Sequence, residues 1–319
     1  MCFWGEFSFA DKVGLYADKK ALTADKSICI TDKFHFYADK LFKIRANYLQ
    51  ILILGGYMKK FAFIFISLLV FFIGSPVFAA KNVPYKLKAA IIIDDFGGGT
   101  GGVRDFLEGD IPITAAVMPF TEKSKEHAEW AHKNGFEVIV HLPMEPKRGK
   151  RSWLGPKPIT VDLSPKEVKA RVEEAISTVP YAVGLNNHMG SLAVENEPIV
   201  RAIVEVAKEK GLYIIDSGTS PQSKFPKVAE ELGVPLLKRD VFLDDISSSS
   251  YVRKQMIRLA KVTEIKGQGI AIGHVGITGK VCSIGIFESL DEFNKRQIKI
   301  VPVSELFAKK MKKKTFPLY

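Results

Sequence analysis

The sequence predicts an α/β fold, a single (β/α) barrel of seven or eight parallel strands with room for one unclosed pair. Three observations carry this. From residue 88 onward, short β-branched apolar runs alternate with helical stretches, the pattern of repeated βα units. The runs are apolar at consecutive positions, as expected for strands of a parallel sheet covered on both faces. Polar residues cluster where the runs end, and that is where parallel α/β folds gather their chemistry. An open doubly wound sheet is the competing architecture.

The strand-like runs are 89–93, 113–118, 138–141, 182–185, 212–215, 234–237, 270–272 and 298–301. Helical stretches fall between them. Residues 103–107 follow a glycine run, 124–134 stop at Gly135, and 164–177 open with a capping Ser164 and a first-turn Pro165. Residues 197–210, 225–232 and 248–265 end before Gly211, Gly233 and Gly267. The longest connection, 145–163, is rich in Pro, Lys and Gly and is placed to cover the active face. Its Trp153 is expected to anchor the loop to the body, with sugar stacking as the second reading.

The barrel domain spans 81–319 of the 319 residues. Upstream, the basic start Met58-Lys59-Lys60, an apolar run to Gly74 and a small-residue exit to Ala80 make 58–80 a secretory signal peptide. The apolar run is shorter than the ~20 residues of a spanning helix, which favours cleavage over anchoring. Either way the domain is extracytoplasmic. Residues 1–57 read as a mis-started or disordered leader, because Asp11, Asp18, Asp25, Asp32 and Asp39 recur at one interval, each followed by Lys, without an apolar seam.

Of the three cysteines only Cys282 lies in the barrel domain, which excludes an internal disulfide or a cysteine-rich metal site there. The formal charge of +11, with basic clusters at 147–151 and 309–314, suits a solvated surface and, outside a cell, attraction to anionic wall polymers or lipid headgroups. Nucleic acid is a poor partner for an exported chain.

The strand ends carry Asp94 and Asp95, His141, Asn186-Asn187-His188, Asp216, Asp240, Asp244, Asp245 and His274. Adjacent carboxylates at the rim of a core require a cation or a shared proton. Histidines ending several strands beside them point to a metal site, and two imidazoles with one carboxylate form a shell that suits catalytic zinc. His127 and His132, on the 124–134 helix, are expected at the surface. Gly97, Gly99 and Gly102 satisfy G-x-G-x-x-G, but two carboxylates stand where a pyrophosphate would sit. The glycines are therefore read as a flexible turn giving substrate access. No G-x-S-x-G elbow is present, and Ser191 and Ser217 are expected to hydrogen-bond within the site.

Ile93-Asp94-Asp95-Phe96-Gly97, the His141 to Pro146 segment, Asn186-Asn187-His188-Met189-Gly190-Ser191, Asp216-Ser217, the Arg239 to Asp244 segment and Ala271-Ile272-Gly273-His274 together resemble the divergent polysaccharide deacetylases, relatives of NodB-type carbohydrate esterases. The resemblance implies a distorted (β/α) barrel and a divalent metal. It makes Asp94 the general base, Asp95 the metal carboxylate, His141 the first metal histidine, His274 the acid for the leaving group and Asp216 a supporting carboxylate. Glu145 occupies the position of the esterases' second metal histidine, four residues after the first, and His188 is the natural replacement. The esterases' Arg-Pro-Pro-Tyr segment is absent. The expected function is metal-dependent removal of acetyl groups from an acetylated polysaccharide or cell-wall glycan. A non-catalytic carbohydrate-binding protein on the same scaffold, and a hydrolase of another bond, are the alternatives.

Overall fold

The computed structural model describes residues 87–98 and 101–311. The leader at 1–57, the signal at 58–80 and the end of the second basic cluster lie outside the described residues. No helix among the described residues is long and apolar enough to cross a membrane.

The strands are β1 (Leu87–Phe96), β2 (Thr114–Val117), β3 (Glu137–Met144), β4 (Ala182–Met189), β5 (Tyr213–Asp216), β6 (Leu236–Lys238), β7 (Val241–Phe242), β8 (Gln268–His274) and β9 (Ile298–Ile300). The helices are α1 (Val103–Leu107), α2 (Ser124–Lys133), α3 (Pro165–Thr178), α4 (Glu197–Glu209), α5 (Phe225–Leu232), α6 (Ser249–Lys266), α7 (Gly279–Phe287), α8 (Leu290–Lys295) and α9 (Ser304–Met311). Every expected strand is present. The two-residue β7 and helices α7 to α9 were not anticipated. Ser164 and Glu167 form a reciprocal capping box at the start of α3, with Pro165 in its first turn.

All pairings are parallel, in the order β6-β5-β4-β3-β2-β1-β8-β7, with β9 on β1. The sheet curls into a half-barrel whose seam lies between β6 and β7. Only Arg239 and Asp240 separate these strands: the Arg239 amide donates to Asp216 O of β5 (3.1 Å) and the Asp240 amide to Ile270 O of β8 (2.9 Å). The backbone itself spans the one unpaired position.

Strand alternation divides the core into two shells. Ala89, Ile91 and Ile93 pack outward against the helices, whereas Ala90, Ile92, Ile139, Tyr213, Ile215, Ile270 and Ile272 fill the barrel with Val301, Val303, Leu306 and Phe307. The C-terminal segment thus plugs one end. Glu137 ties it there, accepting from Tyr213 Oη (2.8 Å), Thr114 Oγ1 (3.0 Å) and the Ser304 amide (3.2 Å).

Gly97, Gly101 and Gly102 are closely packed, which for Gly97 and Gly102 departs from the reading as a flexible access turn, while Gly99 lies outside the described residues. A Cβ at Gly101 would lie 2.3 Å from Gly276 O, and one at Gly97, whose φ is +95°, would lie 2.7 Å from Thr121 Oγ1. The turn is pressed against the loop that follows β8, and the Gly276 amide donates to Gly101 O (2.8 Å). Gly98 faces open space. Gly101→Ala is expected to destabilise the domain by about 2–3 kcal/mol in urea unfolding and Gly98→Ala by less than about 0.5 kcal/mol.

Candidate metal centre

Strand parity brings most of the expected residues together. Asp94 follows Ala90 and Ile92 on the inward face of β1, His141 follows Ile139, His188 follows Asn186, and His274 follows Ile270 and Ile272. Asp95 has the wrong parity. Its backbone turns left-handed, at φ 69°, where the β1–β2 register breaks between Ile93 and Phe96, and this re-aims the carboxylate at the cluster. Three bonds hold the turn: Val275 N to Asp94 O (3.1 Å), Met118 N to Phe96 O (2.8 Å) and Gly97 N to His127 Nδ1 (2.8 Å). His127 is therefore buried, correcting the surface assignment, and burial lowers its pKa, which keeps Nδ1 free to accept. His132 is exposed as expected and stacks on Tyr181.

Asp95, His141 and His188 form a possible metal-holding group. The protons of both imidazoles are directed away from it. Asn186 Nδ2 donates to Asp94 Oδ1 (2.8 Å), so its carbonyl faces His141 Nδ1 (2.8 Å) and draws the ring proton there. The Trp153 carbonyl, which can only accept, does the same for His188 Nε2 (2.9 Å). The bare His141 Nε2 and His188 Nδ1 then lie 3.0 Å apart, and 3.3 and 3.1 Å from Asp95 Oδ1. Asp95 Oδ1 is buried and, with these tautomers, has no hydrogen-bond donor.

Three converging lone pairs repel unless a cation sits between them. Ligand bonds of ~2.0–2.2 Å give neighbouring ligand atoms spacings of about 2.8–3.6 Å, so the donor set fits a divalent ion. Without one, only protons can relieve the cluster. Burial disfavours charge on His141, yet Asp94 and Asp95 hold its pKa above the ordinary value. Burial likewise works against ionised Asp95, but His141 and His188 hold its carboxyl well below the usual range.

Around this group, burial raises the pKa of Asp94 against the pull of His141 and His274, and its Oδ2 lies 3.6 Å from His141 Nε2. Asp244 grips His274 twice, with Oδ1 3.0 Å from Nδ1 and Oδ2 accepting from the His274 amide (3.0 Å). Thr278 Oγ1 completes the grip at 2.6 Å from Asp244 Oδ2. Asp216 is placed differently. Its Oδ1 accepts from the Gly218 amide (2.8 Å) in its own turn, and its buried Oδ2 has no hydrogen-bond partner among the described residues. Ser217 Oγ donates to Asn187 O (2.8 Å), while Ser191 Oγ accepts from the Lys147 amide (2.9 Å), so both brace loops. Glu145, in place of a histidine, also holds the covering loop: its Oε2 accepts from the Val161 amide (2.9 Å).

Asn186 and Asp244 stood among the strand-end residues without assigned roles. The two-residue spacing of Asn186 and His188 was the signal for the former, whereas nothing in a sequence marks the backbone carbonyl of Trp153.

A sequence profile described as "Divergent polysaccharide deacetylase" matches residues 91–307. The chain belongs to this family. Among relatives of this chain, the uncharacterised protein YibQ of Escherichia coli K12 is 35% identical over 202 residues, covering 63% of this chain and 60% of its own. An uncharacterised Haemophilus influenzae protein is 31% identical over 187 residues, 59% of this chain and 66% of its own. The chain thus spans under two thirds of the length of these relatives. The crystal structure of an uncharacterised protein from Agrobacterium tumefaciens C58 shares the fold, with TM-score 0.63 and 21% identity over 69% of this chain and 89% of that one.

Burial opposes charge on His274, but Asp244 lifts its pKa from 6.5 to about 9. A group raised on folding contributes stability that is complete below its unfolded pKa and is lost as pH rises through the folded value. Urea unfolding of the chelator-treated protein should therefore lose up to about 3 kcal/mol between pH 6 and pH 10. Asp244→Asn should be less stable at pH 6 and show little of this loss.

Proposed function

We propose that this divergent polysaccharide deacetylase is a metal-dependent hydrolase that removes acetyl groups from an extracytoplasmic polysaccharide. The observation carrying the reading is the convergence of three potential ligand atoms, Asp95 Oδ1, His141 Nε2 and His188 Nδ1, at mutual distances of 3.0, 3.1 and 3.3 Å. A mixed nitrogen and oxygen shell favours zinc, with cobalt or nickel as substitutes. Bound there, a divalent ion would polarise the acyl carbonyl and lower the pKa of an attacking water.

The chain's own residues supply the proton transfers. Asp94, buried and with a raised pKa beside the cluster, takes a proton from the attacking water as the water oxygen bonds to the acyl carbon. Its hydrogen bond from Asn186 orients the carboxylate. On collapse the bond from the acyl carbon to nitrogen or oxygen breaks, acetate departs, and His274 gives its proton to the amine or alcohol. Asp244 orients that imidazole and keeps it charged at neutral pH. Asp216 supports the site indirectly, through the turn that follows β5. The segment 58–80 supports placing the domain outside the cytoplasm, where such glycans lie.

Metal content and acetate release from acetylated chitooligosaccharides and peptidoglycan fragments test the reading together. Asp95→Asn should weaken zinc binding by at least about 10–100-fold. Asp94→Asn should retain the metal while turnover falls about 10²–10⁴-fold. In the wild type, turnover should decline as pH rises through about 9, where His274 loses its proton. Bound metal with no acetate from any acetylated glycan would reject hydrolysis in favour of glycan binding alone.

A further inference from the structure

The loop beside the cluster is fastened to the body at several points. The Glu145 amide donates to Ile159 O (2.9 Å) and the Ile159 amide to Pro143 O (2.8 Å), while Lys147 Nζ pairs with Glu195 (2.6 Å). Leu154 and Ile159 are buried and supply the apolar anchors. Trp153, the expected anchor, is instead 58% exposed. Packing therefore does not account for most of this indole, which offers an amphipathic aromatic surface on which a ligand could stack. Its position is specific, because the carbonyl of the same residue bonds His188 Nε2 at 2.9 Å. The backbone of Trp153 thus lies at the edge of the cluster.

Between Glu145 and Asp162 the charge on this loop has one sign. No acidic residue occurs between Glu145 and Asp162. Lys147 is neutralised by Glu195 and Lys157 by Glu174. Arg148 and Lys150 are exposed and form no ion pair among the described residues, and Lys150 Nζ lies 5.7 Å from the centroid of the Trp153 ring. An exposed indole with one lysine over its ring, and a second unpaired cation two residues before that lysine in sequence, suits a pyranose that offers its C–H face to the indole and a carboxylate to the cations.

We infer that Arg148, Lys150 and Trp153 form a subsite for a carboxylate-bearing sugar beside the metal cluster. This rests on the reading of the substrate as a glycan and adds that the glycan is acidic. A uronic acid and a lactyl-ether amino sugar both present this chemistry.

Binding to the full-length protein, followed by calorimetry at low salt, tests it with three probes. These are tetragalacturonate, neutral cellotetraose, and the disaccharide of N-acetylglucosamine and N-acetylmuramic acid. At least one acidic probe should bind about tenfold more tightly than cellotetraose, and 1 M NaCl should remove the difference. Arg148→Gln with Lys150→Gln should erase the acidic preference and leave cellotetraose affinity unchanged. Trp153→Ala should weaken all binding about tenfold, and Trp153→Tyr should restore it. Equal affinity for cellotetraose and both acidic probes, or unchanged affinity in Trp153→Ala, would overturn the inference. Tetragalacturonate and cellotetraose carry no acetyl group, so absence of deacetylase activity leaves this readout intact.

Discussion

Two adjacent carboxylates on one strand can face the same cavity only if the backbone between them abandons the strand geometry. Asp94 faces inward by the ordinary alternation, and Asp95 would then face the helices. The left-handed conformation at Asp95 resolves this, at about 1–2 kcal/mol for a non-glycine residue. Much of the surrounding structure maintains that turn. The buried Phe96, the His127 acceptor, the close backbone contact of Gly101 with Gly276 and the amide of Val275 all fix the chain on either side of it. Barrel and site are thus coupled at one peptide.

The second layer of organisation concerns proton placement. An imidazole can donate a metal ligand only from the nitrogen without the hydrogen, so whatever accepts the other N–H decides whether the ring can serve. Asn186 and the Trp153 carbonyl make that decision for His141 and His188. Asn186 has a double role, since its amide nitrogen is committed to Asp94 and its oxygen is thereby left for His141. Asp94 and His141 are oriented through one side chain. Asp244 performs the corresponding task for His274, but from a carboxylate, and so favours the charged imidazole where the metal histidines must remain neutral.

The covering loop joins these features to the outside. Glu145 fastens residues 145–163, its Oε2 accepting from the Val161 amide. His188, on the strand after the one that carries His141, has its Nε2 against the Trp153 carbonyl of that fastened loop. The loop is thus part of what supports the cluster.

Much of the fold was legible in the sequence because parallel strands buried on both faces leave a direct apolar signature, and glycines and a capping serine mark the helix ends. The barrel strands, most of the helices, the strand-end histidines and the carboxylate pair follow from that local grammar. What lay beyond it was set by distant segments. The two-residue β7 is too short for periodicity to register and exists because β8 offers it an edge. His127 looked like a surface histidine on a polar helix until the turn after Asp95 packed onto it. Sequence alone determined which candidate carboxylates and imidazoles stand at the strand ends, because side-chain type and alternation are local. Only the tertiary structure decided that Asp95 turns inward beside Asp94 and that two imidazoles keep their lone pairs for it, because backbone strain and proton placement depend on partners far along the chain.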